Sequence, residues 1–284
     1  MTEEDIDRVV EIIDQHDDED ADEAEADYHK EGIAGQFVTL LDGHIIGVSG
    51  ARMLDDCDRS FQLSWTYLDK QHCNQGYGRQ LLGYVLDQLR EFKARKLFIY
   101  MSDYVDEDGV SIYAAARHLY LSLEFQVELE IADYYDEGES LTVLGLLLED
   151  KEFDSLPIKP ESPKLKFNNL IHIAEIESAY SFGWETKRFG KNFTSEDLEL
   201  GIDAAKQEEA SLILISFPSN YENVEQQLMD SGFALIGSLQ DYYEEGVDEE
   251  HYLYSFNPNY NQKRSQNKNQ FGNEQSEIHK LESQ

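Results

Sequence analysis

The sequence predicts an α/β chain built from two similar halves, each a set of strands flanked by helices. Three observations carry that expectation. Runs whose apolar residues alternate are interleaved with runs whose apolar residues recur every three or four positions, the periods of strand and helix. A strand–helix–strand block that leads into Asp133-Tyr134-Tyr135-Asp136-Glu137-Gly138 and a further strand returns later, leading into Asp241-Tyr242-Tyr243-Glu244-Glu245-Gly246. Between the copies, Leu156 to Pro163 holds three of the five prolines, a density that disfavours helix and sheet interior alike. The expected division is a first domain at 1–150, a linker at 151–165, a second domain at 166–257 and a tail at 258–284. The tail is Asn, Gln, Ser and Lys with almost no apolar content, so disorder is expected there.

The elements follow in order. Ile6, Val9, Val10, Ile12 and Ile13 mark one amphipathic helix, capped by Thr2 or Asp5, and Asp14 to Asp27 reads as a solvated acidic segment. Gln36 to Leu41 and His44 to Met53 flank Asp42-Gly43, a dipeptide that favours a tight hairpin. Phe61 to Leu68 is a third strand, rich in aromatics. Leu81, Leu82, Val85, Leu86 and Leu89 form one face of a helix running to about Arg95. Leu97 to Met101 is a strand, Ser111 to Leu123 a helix, and Phe125 to Ala132 and Ser140 to Leu148 are strands. In the second half, Glu196 to Ala205 and Val224 to Met229 are helices, and strands are expected at Leu212 to Phe217, after Gly232-Phe233, and beyond Gly246.

Composition sets outer limits on function. The 284 residues carry 59 acidic and 23 basic side chains, a formal charge of −36, with 40% hydrophobic and 12% aromatic content. That apolar content supports a core. A field this negative repels phosphate backbones and anionic headgroups, so neither nucleic acid nor a membrane is an expected partner. Cationic or amine-bearing partners are favoured, while solubility or adaptation to a salty interior accounts for the same acidity. Cys57 and Cys73 make no disulfide framework and no CxxC metal spacing, so no metal is expected. With no basic, apolar leader after Met1 and no long apolar run, a cytoplasmic location is expected.

The sharpest chemical signal is Gln75-Gly76-Tyr77-Gly78-Arg79, between a strand and a helix. Helix N-termini present unpaired N–H groups and partial positive charge, and glycine lets an anion approach the main chain. Arg79 adds a side-chain contact. The segment lacks the Gly-Lys-Ser/Thr of a Walker loop and the third glycine of a dinucleotide fingerprint, and the same glycines also make a plain tight turn. Tyr120, in Leu119 to Phe125, is a candidate proton donor or a helical core aromatic. The paired Asp-Tyr-Tyr segments suit an amine through cation–π and charge attraction, or serve as turn packing.

Loop, tyrosine and element order together resemble the GNAT superfamily of acyl-CoA-dependent N-acyltransferases, over roughly Thr2 to Leu148. Gly76-Tyr77-Gly78 is similar to the end of that family's Gln/Arg-x-x-Gly-x-Gly/Ala pyrophosphate loop, and Tyr120 with Phe125 to its Tyr-x-x-x-Gly-Phe segment. The resemblance implies two GNAT-like domains, each a mixed, mostly antiparallel sheet flanked by helices. It implies acetyl-CoA as cosubstrate, its pyrophosphate held by Gln75, Gly76, Tyr77, Gly78 and Arg79. It further implies a splayed strand pair, here Phe61 to Leu68 and Leu97 to Met101, that admits pantetheine, and Tyr120 as the acid for the departing thiolate. The expected activity is acetyl transfer to a primary amine on a small molecule or peptide. The alternative is a non-catalytic CoA-sensing or binding module on the same fold.

Departures from the family pattern are Cys73 in place of Gln or Arg, Glu124 in place of Gly, Tyr113 in place of an asparagine, and a missing or shortened first strand. No general base stands out. Counting back to the position of the histone-acetylating branch's glutamate lands near Gln62, which cannot serve as a base. Asp103 reads as a surface carboxylate before a helper, and His72 and His118 as solvated side chains before titrating groups. The second half resembles a degenerate copy of the fold. Lys187-Arg188-Phe189-Gly190-Lys191-Asn192 stands where a phosphate loop would lie, and no tyrosine matches Tyr120. Duplication within one chain favours a monomer over a homodimer.

Overall fold

The computed structural model describes residues 1–105, 109–136, 138–148, 164–173, 178–187 and 194–257. The expected tail, nearly all of the linker and most of Lys187 to Asn192 lie outside the described residues. The chain is a mixed α/β protein with two sheets flanked by helices. It divides into two compact units. Unit 1 gathers Met1–Glu130, Leu141–Leu156 and Leu239–Asp248, and unit 2 gathers Ile131–Ser140, Pro157–Ser238 and Glu249–Gln284.

The first sheet belongs to the leading part of the chain. Helices α1 (Ile6–Asp14) and α2 (Asp18–Glu31) precede strands β1 (Gln36–Leu41) and β2 (His44–Met53), joined by Asp42-Gly43 with φ of 51° and 83°. Next come β3 (Ser60–Leu63), β4 (Tyr67–Leu68), a 3-10 turn at Lys70–His72 and α3 (Tyr77–Glu91). The remaining elements are β5 (Lys96–Ser102), α4 (Ala114–Leu121), β6 (Gln126–Asp136) and β7 (Glu139–Leu147). The sheet order is β1-β2-β3-β5-β7-β6, with β4 against β2.

Two expectations change here. The acidic segment is not a solvated coil: it is α2. Asp17 caps it, its carboxylate accepting from the N–H groups of Glu19 (3.0 Å) and Asp20 (3.1 Å). Acids in the first turn also favour the helix dipole. Ala21, Ala24 and Tyr28 form the buried stripe, packed with Ile6, Val9 and Ile13 of α1 against Val48. Alanine is weakly apolar, so the stripe is faint in sequence.

The second change is the strand expected at Phe61 to Leu68, which is two pieces. β3 pairs with β2 through Phe61–Leu63, whereas Tyr67 and Leu68 of β4 pair with Val48 and Gly47 further back on β2. Parallel pairing of β3 with β5 spans Ser60–Gln62 and Lys96–Phe98, and among the described residues β4 does not join β5. The sheet therefore opens between β4 and β5.

Leu82, Val85, Leu86 and Leu89 of α3 pack on Phe61, Leu97, Ile99, Met101, Tyr120 and Phe125. Residues Leu239–Asp248, which belong to unit 1, are held by buried cations. Arg95 donates to the carbonyls of Asp58 (3.0 Å), Asp241 (2.5 Å) and Tyr242 (3.3 Å) and to Ser60 Oγ (2.7 Å). Lys96 pairs with Glu128 at 2.6 Å and donates to Gln240 O at 2.5 Å, while Gln240 N–H donates to Glu128 at 2.8 Å.

Unit 2 draws on β8 (Lys164–His172), β9 (Ala179–Lys187), α5 (Ser195–Gln207), β10 (Leu212–Pro218), α6 (Glu222–Asp230), β11 (Ala234–Glu244) and β12 (Val247–Ser255). Its sheet runs β11-β12-β10-β9-β8. The β8–β9 hairpin was not expected from the sequence. β8 with β9 is antiparallel, β9 with β10 parallel and β10 with β12 antiparallel, the same succession that links β2, β3, β5 and β7. A core of Phe182, Leu198, Ile213, Ile215, Phe217 and Leu228 fills the unit.

Candidate active site

The site is organised around the segment Ser64 to Arg79, where the sheet opens. Asp69 anchors it: its carboxylate accepts from Gln71 N–H (3.0 Å), Arg8 Nη2 (2.7 Å) and Gln15 Nε2 (3.5 Å). Burial pushes this carboxyl up, but those hydrogen bonds prevail and hold it below the usual carboxylate range. Gln15 Oε1 in turn accepts from Lys70 N–H (2.9 Å) and His16 bonds to Leu68 O (2.7 Å), so the end of α1 clamps the chain as it leaves β4.

From there the main chain turns through Asn74 (φ 58°) and Gly76 (φ 89°) into α3. Gly76 is the residue before the helix and supplies no side-chain cap. The first intrahelical bond is Gln80 N–H to Gly76 O at 3.1 Å. Among the described residues the N–H groups of Tyr77, Gly78 and Arg79 thus have no acceptor, and a Cβ built on Gly76 meets nothing within 4 Å. Three donors without an acceptor lie at the positive end of a fifteen-residue helix, beside an exposed Gly76.

The two glycines differ in what they do. Gly76 takes a left-handed φ that side chains disfavour, whereas a Cβ on Gly78 would sit 3.3 Å from Leu68 and 3.6 Å from Leu119. Gly78 is small so that α3 can pack against β4 and α4. Arg79 is exposed and donates to Ser122 Oγ (2.6 Å), which itself donates to Leu119 O (2.7 Å). Gln75 donates to Gln71 O (2.8 Å), and the Tyr77 ring meets His72 edge-on at 6.1 Å. Cys73 is half-buried, and burial pushes its thiol up, away from reactivity.

Tyr120 is 5% exposed and packs on Phe125, ring centroids 5.9 Å apart. Its hydroxyl interacts with Thr66, which bonds to Ser49 Oγ (2.8 Å) and donates to Ser64 O (2.9 Å). Burial drives the Tyr120 phenol up to about 12, with Thr66 pulling slightly the other way. Glu124, where glycine is usual in the resembled family, adopts φ of 70°. The backbone keeps the glycine conformation and a glutamate bears the strain.

Among the other sequence candidates, Asp103 and His118 are exposed and His72 lies against Tyr77. Gln62 accepts from Arg52 (3.3 Å). Tyr242 and Tyr243 pack edge to face at 4.9 Å, with Tyr242 also against Phe98 at 5.1 Å and its carbonyl on Arg95. The second Asp-Tyr-Tyr segment thus packs against Phe98 and Arg95 of unit 1. A cluster that no sequence motif marked lies beside β4: Asp20 Oδ2 accepts from the hydroxyls of both Tyr67 and Tyr113, and Asp27 accepts from Trp65 Nε1 (3.2 Å). Nothing local in the sequence separates Asp20 from the other acids of its run.

Residues 4–125 match the Acetyltransferase (GNAT) family. The match spans α1 to the end of α4, including the Gly76 turn, β4 and Tyr120. A structure assigned to the GNAT family from Desulfovibrio desulfuricans is 22% identical, covering 52% of this chain and 95% of its own, with a TM-score of 0.46. An aminoglycoside 6'-N-acetyltransferase complexed with coenzyme A is 9% identical over 54% of this chain and 95% of its own, with a TM-score of 0.46. An N-acetyltransferase from Staphylococcus aureus Mu50 is 16% identical over 52% of this chain and 96% of its own, with a TM-score of 0.44. No curated protein matches the chain. Among the described residues, no helix is long and apolar enough to cross a membrane.

Proposed function

We propose that the chain moves an acetyl group from acetyl-CoA to a primary amine, on a small molecule or a peptide, by direct attack. One observation carries this reading: within the GNAT-matching residues, three main-chain donors at the start of α3, beside an exposed Gly76, have no acceptor among the described residues. That donor set fits a pyrophosphate, because oriented N–H groups and a helix dipole favour anionic oxygens without any lysine.

Acetyl-CoA supplies the activated acyl group as a thioester. Gln75, Gly76, Tyr77, Gly78 and Arg79 would hold its pyrophosphate, with Arg79 as the side-chain cation. The opening between β4 and β5 suits an extended arm. Tyr120 would donate a hydrogen bond to sulfur as negative charge grows there. Orientation and polarisation by fixed donors supply the rest of the rate.

On the same reading, residues 166–257 are a degenerate copy that performs no turnover. The succession of strand pairings supports this, and Gln226–Met229 of α6 offers no counterpart to Tyr120. The test of the loop is calorimetric titration of acetyl-CoA into wild type and a Gly76→Glu, Gly78→Glu double variant. Binding by wild type alone is expected, and equal binding by both ends the loop assignment.

A non-catalytic CoA-binding module is the second reading, favoured by the depth at which Tyr120 is buried. Thiol release across a panel of amines separates the two. Tight CoA binding with no release for any amine selects the module.

A further inference from the structure

Thr66, Tyr67 and Leu68 touch three different parts of unit 1. Thr66 meets the Tyr120 hydroxyl, Leu68 lies against Gly78, and Tyr67 donates to Asp20. Side chains of an extended segment alternate, so Tyr67 points away from the face shared by Thr66 and Leu68. The face it reaches carries a built carboxylate.

Asp20 Oδ2 accepts both phenols, Tyr67 and, at 2.9 Å, Tyr113. These residues come from α2, β4 and the residue before α4, so the cluster is a product of the fold. Among the described residues Asp20 Oδ1 has no hydrogen-bond partner, and Asp20, Tyr67 and Tyr113 are each only half-buried. A carboxylate fixed by two neutral donors with one oxygen open is suited to a cation that carries N–H groups.

We infer that Asp20 Oδ1 is the docking point for the acceptor's ammonium group, and that Tyr67 and Tyr113 are positioning residues that fix the carboxylate. This rests on the amine-acetylating reading above and names its acceptor contact. Docking moves no proton: the ammonium N–H groups donate to Oδ1 and the carboxylate stays ionised. Burial pushes the Asp20 carboxyl up while the two phenols pull it down, and the net shift is upward, so amine docking is lost as falling pH protonates it. The other titratable groups facing the cluster are Asp17, whose like charge adds to the upward shift, and His16, whose ring lies 5.5 Å from that of Tyr67.

The test measures amine binding without chemistry. Benzylamine, spermidine and the uncharged control benzyl alcohol are titrated into the full chain saturated with CoA, followed by saturation-transfer NMR and calorimetry. Wild type is expected to bind the amines and not the alcohol. Asp20→Asn is expected to weaken amine binding roughly 10- to 100-fold, the scale of a charged hydrogen bond, with CoA affinity unchanged. Equal amine affinity in Asp20→Asn, equal affinity of wild type for amine and alcohol, or no amine binding at all overturns the inference.

Tyr113→Phe provides an independent arm should Asp20→Asn fail to fold. Losing one donor raises the carboxyl, so the pH below which amine affinity falls must move upward; an unmoved midpoint overturns the positioning role. No acetyl transfer is required in either arm. Asp20-dependent amine binding by a protein that releases no thiol would refute the catalytic reading and leave Asp20 as an amine-binding residue without an acceptor role.

Discussion

Replacing Tyr120 by Phe tests how the hydroxyl acts, and the structure sets the size of the effect. The phenol sits at about 12, whereas an ordinary thiol titrates near 8.5. Passing the proton from Tyr120 to a departing thiolate is therefore uphill by 3–4 pKa units, roughly 5 kcal/mol. A hydrogen bond from the same hydroxyl to a charged sulfur contributes about 1.5–3 kcal/mol with no such penalty. Tyr120→Phe is thus expected to lower kcat about 10- to 100-fold, below the upper range of general acid catalysis, and to leave the KM for acetyl-CoA unchanged. Thr66 keeps its bonds to Ser49 and Ser64, so the stability loss should be about 1 kcal/mol or less. Steady-state thiol release at saturating amine is the assay, with thermal unfolding as control. A loss beyond about a thousandfold would mean full proton transfer through a less buried phenol. No loss would mean that the hydroxyl stays with Thr66 and never meets the reacting sulfur.

Three further substitutions probe the frame of the site. Glu124→Gly removes a left-handed strain of about 1 kcal/mol, part of which glycine's backbone entropy takes back, so urea unfolding should show a gain of up to about 1 kcal/mol; a loss would contradict the strain. Gly145→Ala places a Cβ against the Glu128 carboxylate and must displace it from Lys96, whose side chain is 4% exposed. Breaking a buried pair costs about 3–5 kcal/mol, and a change under about 1 kcal/mol would show that Glu128 relocates freely. Asp69 is held below its ordinary pKa, so its contribution is complete above the unfolded carboxylate pKa and is lost as pH falls toward the native value. Stability of Asp69→Asn measured from pH 6 to 3 should fall less steeply than wild type, and parallel curves would remove Asp69 from the acid transition.

Elements with strong local signatures were readable. All of Leu81, Leu82, Val85, Leu86 and Leu89 are buried, and Asp42-Gly43 takes the two positive φ values that a tight hairpin needs. The α2 helix was hidden because its core stripe is two alanines and a tyrosine, which barely register against the acids around them. The split between β3 and β4 is not encoded within Phe61 to Leu68. It is fixed by which residues of β2 each piece pairs with, and cross-strand register is a property of the fold. The Gly76 turn was legible because glycine at a strand–helix junction has few alternatives, although the packing role of Gly78 needed Leu68 and Leu119. Asp20 was illegible in principle: its partners lie 47 and 93 residues away.

The charge of −36 now divides into two local problems. Screening limits the reach of distant exposed acids to roughly 8 Å at physiological salt, so a phosphate at the α3 terminus responds mainly to nearby N–H groups, the helix dipole and Arg79. Net charge therefore does not forbid a polyanionic cosubstrate. The acids of α2 stand in a different relation to the site, because Asp20 and Asp27 are bonded to Tyr67 and Trp65 at the edge of the same opening. Alternation along Thr66–Leu68 turns one side chain toward that helix and its neighbours toward Tyr120 and Gly78. A segment this short can divide the proposed anion-holding face from the proposed cation-holding one only if its register is fixed. Pairing with β2, the clamp from Gln15 and His16, and the anchoring of Asp69 all act on that register. Loosening any of them should disturb amine and CoA affinity together, whereas changes at Asp20 or at Gly76 should affect one and spare the other.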